Sequence, residues 1–144
     1  MTQITVGWRE WVTLPDLGIA RIKAKVDTGA RTSALHTFDL RTHTRDTVTL
    51  VSFSIHPLQN DQQVVQCEYP LHDERWVTDS GGHREMRPVI LTRLAFDGAE
   101  WPVEITLTNR ENMKFRMLLG RTAMAGRMIV DPQKSYLRGQ EPTP

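Results

Sequence analysis

Apolar and polar residues alternate along much of this chain, and the alternation has the period of strands. Ile22, Ala24 and Val26 interleave with Arg21, Lys23 and Lys25, which describes a strand with one buried and one solvated face. The turn residues Leu14-Pro15-Asp16-Leu17-Gly18 precede it, so Trp8 to Thr13 and Ile19 to Val26 are predicted to form a hairpin. Val48 to Ile55 and Val64 to Tyr69 flank a polar connection and predict a second hairpin. Val89 to Phe96 and Trp101 to Leu107 flank Asp97-Gly98-Ala99-Glu100 and predict a third. Shorter strands are expected at Glu74 to Val77 and Glu85 to Ile90. Only Thr122 to Arg127 reads as helix, with Thr122 placed to cap its first turn. Short, closely spaced strands joined by Gly, Pro and Asp turns predict a mostly β fold, a closed or nearly closed barrel with one short helix.

With 144 residues and 39% hydrophobic content the chain suits one compact core. Residues 1–137 are expected to form the domain, and 138–144, which lack an apolar anchor, a flexible C-terminal tail. A formal net charge of +1 gives no bulk field directed at nucleic acid or membrane, so neither is an expected partner. The single cysteine, Cys67, excludes an internal disulfide and a thiolate metal cluster and reads as a half-buried strand residue. The N-terminus lacks a basic segment followed by an apolar stretch, and no run approaches membrane-spanning length; the cytoplasm is the expected location.

The strongest chemical signal is Asp27-Thr28-Gly29-Ala30, which follows directly on a predicted strand. A carboxylate there is exposed at a turn, and the glycine permits close backbone approach and offers an N–H to the carboxylate. An ordinary Asp-x-Gly surface turn has the same composition, so the tetrapeptide alone leaves both readings open. Far downstream, the apolar run Met117-Leu118-Leu119 ends in Gly120-Arg121, just before the predicted helix.

An apolar strand ending Asp-Thr-Gly-Ala, followed at a distance by Leu-Leu-Gly-Arg and a short helix, resembles the retropepsin fold. More narrowly, Ala24 to Leu35, Arg87-Pro88-Val89-Ile90, Thr106 to Arg110 with Met113, Met117 to Arg121 and Val130-Asp131-Pro132 resemble one bacterial family over residues 5–137. That retropepsin-like group has long been labelled "ATP-dependent zinc protease" and is associated with RimK-type ATP-grasp glutamate ligases. The resemblance implies a closed acid-protease barrel and an aspartic endopeptidase. Asp27 would be the acid/base, Thr28 and Gly29 its scaffold, Ala30, Arg31 and Thr32 the cleft lining, and Ser80, Gly81 and Gly82 a flap. Because the chain holds one Asp-Thr-Gly, a homodimer would have to supply the second carboxylate, and two carboxylates so close share one proton. Where viral retropepsins place acidic residues after this motif, this chain has Arg31, Thr32 and Ser33. Arg31, with Arg121, is therefore expected to face a carboxylate-rich peptide, unless Arg31 pairs with Glu85 or Asp131 and Arg121 is structural.

The five histidines, His36, His43, His56, His72 and His83, show no H-E-x-x-H spacing, and no Walker-type loop is present, so neither a bound metal nor another cofactor is expected. Any ATP would belong to a partner ligase. Trp8, Trp11, Trp76 and Trp101 lie in strand-like contexts and read as core or interface. Two alternatives stand beside the peptidase: a metal-dependent hydrolase built on His36 or His72, and a catalytically silent dimeric peptide-binding module.

Overall fold

The computed structural model describes residues 3–58, 62–78, 81–110 and 114–139. Its strands are β1 (Ile4–Val6), β2 (Arg9–Leu14), β3 (Ile19–Val26), β4 (Ser33–Arg45), β5 (Val48–Ile55), β6 (Val65–Pro70), β7 (Asp73–Thr78), β8 (Arg84–Phe96), β9 (Ala99–Asn109), β10 (Met117–Leu119) and β11 (Met128–Val130); a short helix, α1 (Arg121–Met124), separates the last two. The order β10-β3-β2-β8-β9-β4 closes on itself because β10 also pairs with β4, and the result is a barrel. β5 and β6 extend outward from β4, β7 pairs with β8, and β1 pairs in parallel with β11.

The barrel follows from the alternation. Ile22, Ala24 and Val26 of β3 point inward with Val12 and Leu14 of β2, and meet Ile90, Leu94, Ile105, Leu107, Met117 and Leu119 in one apolar cluster. Such burial is the main driving force for closure. The three predicted hairpins form. The β8–β9 turn at Asp97-Gly98, with φ of 52° and 80°, supplies the double positive φ that a tight hairpin requires. Trp101 is buried and its Nε1 donates to Ala123 O, whereas Trp76 stands exposed on the β7–β8 hairpin.

Three features depart from expectation. β4 was not predicted: its first residues, Ser33 to Thr37, are buried on both faces, and a register shift between Phe38 and Arg41, with Asp39 at φ 52°, resets the rest. No two-residue period survives such an arrangement. The helix covers Arg121 to Met124 rather than Thr122 to Arg127, because Ala125 leaves helical geometry at ψ 128°. Its N-cap is Gly120, without a side-chain cap, so Thr122 does not play that part. Finally, Arg138 is not loose: its N donates to Glu10 Oε1 and its Nε to Thr5 O, at 3.1 and 2.9 Å. Glu10, 1% exposed, also accepts from Gly7 N and Leu137 N and so ties the C-terminal segment to β2. Residues 140–144 of the expected tail lie outside the described residues.

Candidate active site

β3 and β10 run parallel, Val26 beside Leu119, and both strands end together. Past those ends the backbones interlock. Asp27 N donates to Leu119 O, Arg121 N to Ala30 O and Thr122 N to Arg31 O, at 2.9 to 3.0 Å. The loop is tightened internally by Gly29 N donating to Asp27 Oδ1 at 3.0 Å and by Ala30 N donating to Asp27 O at 3.2 Å. A carboxylate oxygen that accepts a backbone N–H is fixed in rotamer and direction. Asp27 is half-buried, while Thr28 and Gly29 are exposed, so the carboxylate sits at the surface rather than in the core.

The residues after the loop carry the other half of this interlock. Ser33 Oγ accepts from the buried Gly120 N at 3.0 Å. Gly120 lies so close to the start of β4 that a Cβ on it would stand 2.5 Å from Thr32 C and 2.8 Å from Ser33 N. Only glycine fits that approach. Nothing in the sequence marks Ser33 as a site residue; its part is legible only once Gly120 is known to lie beside it.

Arg121 reaches back over the loop, its Nη1 donating to Thr28 O at 3.0 Å. Arg31 is exposed, and neither Glu85 nor Asp131 is its partner: Glu85 accepts from Arg87 Nε at 2.7 Å, and Asp131 accepts from Gln133 N at 3.0 Å. Asp27, Thr28, Gly29, Ala30, Arg31 and Arg121 therefore form one hydrogen-bonded unit, and the Thr32 backbone packs against Gly120 beside it. Gly81 and Gly82 stand apart on the β7–β8 hairpin, exposed, with Gly82 at φ +85°; Ser80 lies outside the described residues. Met86 and Pro88 at the base of that hairpin share the face of β8 that carries Ile90, Thr92, Leu94 and Phe96 inside the barrel.

The histidines bear on metal chemistry. His36 is 9% exposed, its Nδ1 has no hydrogen-bond partner, and burial, with Arg110, Arg87 and Arg116 nearby, holds its pKa below the ordinary value. Guanidinium groups around an imidazole form the wrong donor set for a cation. His72 Nε2 is bound to Glu104, which Arg75 also grips through both terminal nitrogens. Among the described residues no three of His, Cys, Asp and Glu gather as a metal-ligand group. Cys67 is buried, with its thiol pushed up to about 11 by burial, and so is unreactive. No helix among the described residues is long and apolar enough to cross a membrane.

A closed β-barrel whose inner strand runs into an Asp-Thr-Gly loop, clamped by a second strand ending in Gly-Arg, is of the retropepsin-like class. The chain belongs to the RimB-like family of retropepsin-like aspartic endopeptidases, whose model matches residues 5–141. It is 49% identical over 138 residues to a protein of Parasynechococcus marenigrum named "Probable alpha-L-glutamate ligase", and 44% identical over 137 residues to one of the same name from Shewanella halifaxensis. These matches take in 95% and 94% of this chain but only 30% of each relative, so the chain spans about 30% of their length. The crystal structure of Lpg0085, a Legionella pneumophila protein of unknown function, superposes with a TM-score of 0.78 at 22% identity, over 95% of this chain and 99% of that one. The barrel is thus a shared fold.

Proposed function

We propose that this chain is one half of an aspartic endopeptidase, completed when two copies bring their Asp27 carboxylates together. The observation that carries this reading is the Asp27 loop itself: a surface carboxylate fixed by the Gly29 N–H, on a loop bonded at both ends to the β10–α1 junction. A single carboxylate is a poor catalyst for amide hydrolysis. Two in contact cannot both ionise, so one stays protonated to polarise the scissile carbonyl while the other takes a proton from the attacking water. Symmetry would supply the pair from one sequence. The β7–β8 hairpin, whose Met86 and Pro88 lie on the same face of β8 as the barrel-facing Ile90, would serve as the lid that excludes water.

Exposed Arg31 offers a guanidinium with no carboxylate partner among the described residues, and carboxylate-rich peptide is the substrate that would complete it. The relatives named as glutamate ligases contain a segment similar to this chain, which supports a place beside an ATP-grasp ligase, fused or associated, with ATP handled by the ligase and glutamate-rich peptide by this domain.

The test pairs two measurements on the same samples: cleavage of a peptide library, and native mass, for wild type and Asp27→Asn. The expected result is a dimer in both and cleavage reduced by at least about 10²–10⁴-fold in the variant. Cleavage that survives Asp27→Asn and disappears with a chelator would overturn the reading in favour of a metal-dependent hydrolase. Acidic-peptide binding without turnover by wild type would leave a binding module.

A further inference from the structure

Two adjacent strands leading to the Asp27 loop present an outer face with an unusual charge pattern. The outward positions of β2 are Arg9, Trp11 and Thr13, and those of β3 are Arg21, Lys23 and Lys25; their inward neighbours are buried. Every ionisable side chain on this face is cationic, since Glu10, the one carboxylate in either strand, is turned inward and held by backbone N–H groups. Arg9 lies directly across from Lys25, and Trp11 across from Lys23. Like charges facing each other across an antiparallel pair destabilise a sheet. Among the described residues no ion pair relieves Arg9, Lys23 or Lys25. Instead, the Arg9 guanidinium lies 4.5 Å from the Trp8 ring centroid and 4.8 Å from that of Tyr136, and Lys23 Nζ lies 5.3 Å from that of Phe115. Burial and repulsion from Arg9 hold the Lys23 ammonium below its usual pKa.

We propose that the outer face of β2 and β3, through Arg9, Lys23 and Lys25, is a docking track for an extended acidic polypeptide that leads it to the Asp27 loop. Lys23 and Lys25 are two residues apart on a strand, about 6.6 Å, which is the spacing of alternate side chains in an extended peptide. The carboxylates of such a peptide would relieve the like-charge facing that the fold leaves in place. Two residues beyond Lys25 stands Asp27, and exposed Arg31 follows in the same loop, so the positive stripe ends at the candidate catalytic group. A polypeptide fits better than a nucleic acid because the aromatic rings here are spent on one another. Trp11 and Tyr136 stack at 6.2 Å, Trp8 and Phe115 meet edge to face at 5.8 Å, and Arg9 covers a ring face. Among the described residues each of these rings already has a stacking, edge or cation partner, so none stands ready as a platform for successive bases. The track deepens the peptidase reading and rests on it for the peptide's destination, but binding itself requires no turnover.

Binding is measured in the Asp27→Asn background by fluorescence anisotropy, with a labelled oligoglutamate peptide, an oligolysine peptide and an oligothymidine of equal charge as probes. Oligoglutamate is expected to bind, and to weaken as salt rises from about 50 to about 200 mM, because the contacts are ionic. K23E/K25E should weaken it roughly tenfold or more, an exposed ion pair being worth up to about fivefold; K23Q/K25Q should fall between. Arg41→Glu, an exposed charge change on β4, should leave binding unchanged. Full affinity in K23E/K25E, an equal loss in Arg41→Glu, or tighter binding of oligothymidine than of oligoglutamate would each overturn the track. Failure of the track and failure of the peptidase reading are separable: the first shows in binding by K23E/K25E, the second in cleavage by Asp27→Asn against wild type.

Discussion

At one end of the barrel, the Asp27 loop presents a half-buried carboxylate, with the backbone of Asp27, Ala30 and Arg31 tied to β10 and α1 and the Gly29 N–H turned onto the carboxylate. On the β4–β5–β6 extension, by contrast, a groove of about 570 Å³ is lined by Asp39, Arg41, His43, Ser52, Gln66 and Glu68, with Ser52 Oγ 3.4 Å from His43 Nδ1 and His43 Nε2 3.2 Å from Glu68. By residue type the groove is the more enzyme-like of the two. The geometry says otherwise. The Ser52–His43 contact is long, and Glu68 is committed to Arg45 through two hydrogen bonds, so nothing there prepares a nucleophile. On our reading, the other wall of the Asp27 site belongs to a second copy. On that same reading, preorganisation of the Asp27 carboxylate is what marks the site.

The contrast can be broken at several points. The largest effect is expected from Gly120→Ala: its Cβ would meet the Thr32 and Ser33 backbone, costing about 3 kcal/mol of stability and displacing the Asp27 loop, which denaturant unfolding and peptide cleavage would both register. Ser33→Ala should cost about 1–2 kcal/mol by leaving the buried Gly120 N–H without its acceptor, with cleavage falling while the barrel persists. Wild-type activity in Ser33→Ala would separate the interlock from the chemistry.

A smaller effect concerns pH. Burial, against a hydrogen bond to the Phe115 backbone, holds His36 below its ordinary pKa of 6.5. The unfolded chain therefore takes up this proton before the folded one does. His36 should contribute a loss of stability as pH falls below 6.5, and His36→Asn should flatten that part of the stability profile. Identical pH slopes in the two proteins would contradict the assignment. The smallest effect is expected in the groove: Ser52→Ala should leave cleavage unchanged and stability within about 0.5 kcal/mol. A loss of cleavage there would move the chemistry to the wrong side of the comparison.

What could be read from the sequence divides along the same line. The one-sided strands were legible because inward and outward positions differ: the alternation from Arg21 to Val26 gave β3, and that from Trp101 to Leu107 gave most of β9. β4 was not, since its first residues, Ser33 to Thr37, are all buried and leave no alternation to read. The Asp-Thr-Gly loop was visible as a motif, and its Gly29 N–H to Asp27 bond followed from the residue types. The Ser33–Gly120 bond, the Thr122 N–H on Arg31 O and the Arg121 grip on Thr28 O join segments far apart in the chain, and no local pattern records them. The like-charge facing of Arg9 and Lys25 likewise requires the register of two strands.

The shared dyad is tested most directly by mixing. Wild-type chains are combined with increasing proportions of Asp27→Asn at constant total concentration, exchanged to equilibrium, and assayed for cleavage of one peptide. If each active site needs an Asp27 from both copies, activity falls as the square of the wild-type fraction. Activity that falls in simple proportion to that fraction would mean that each chain works alone.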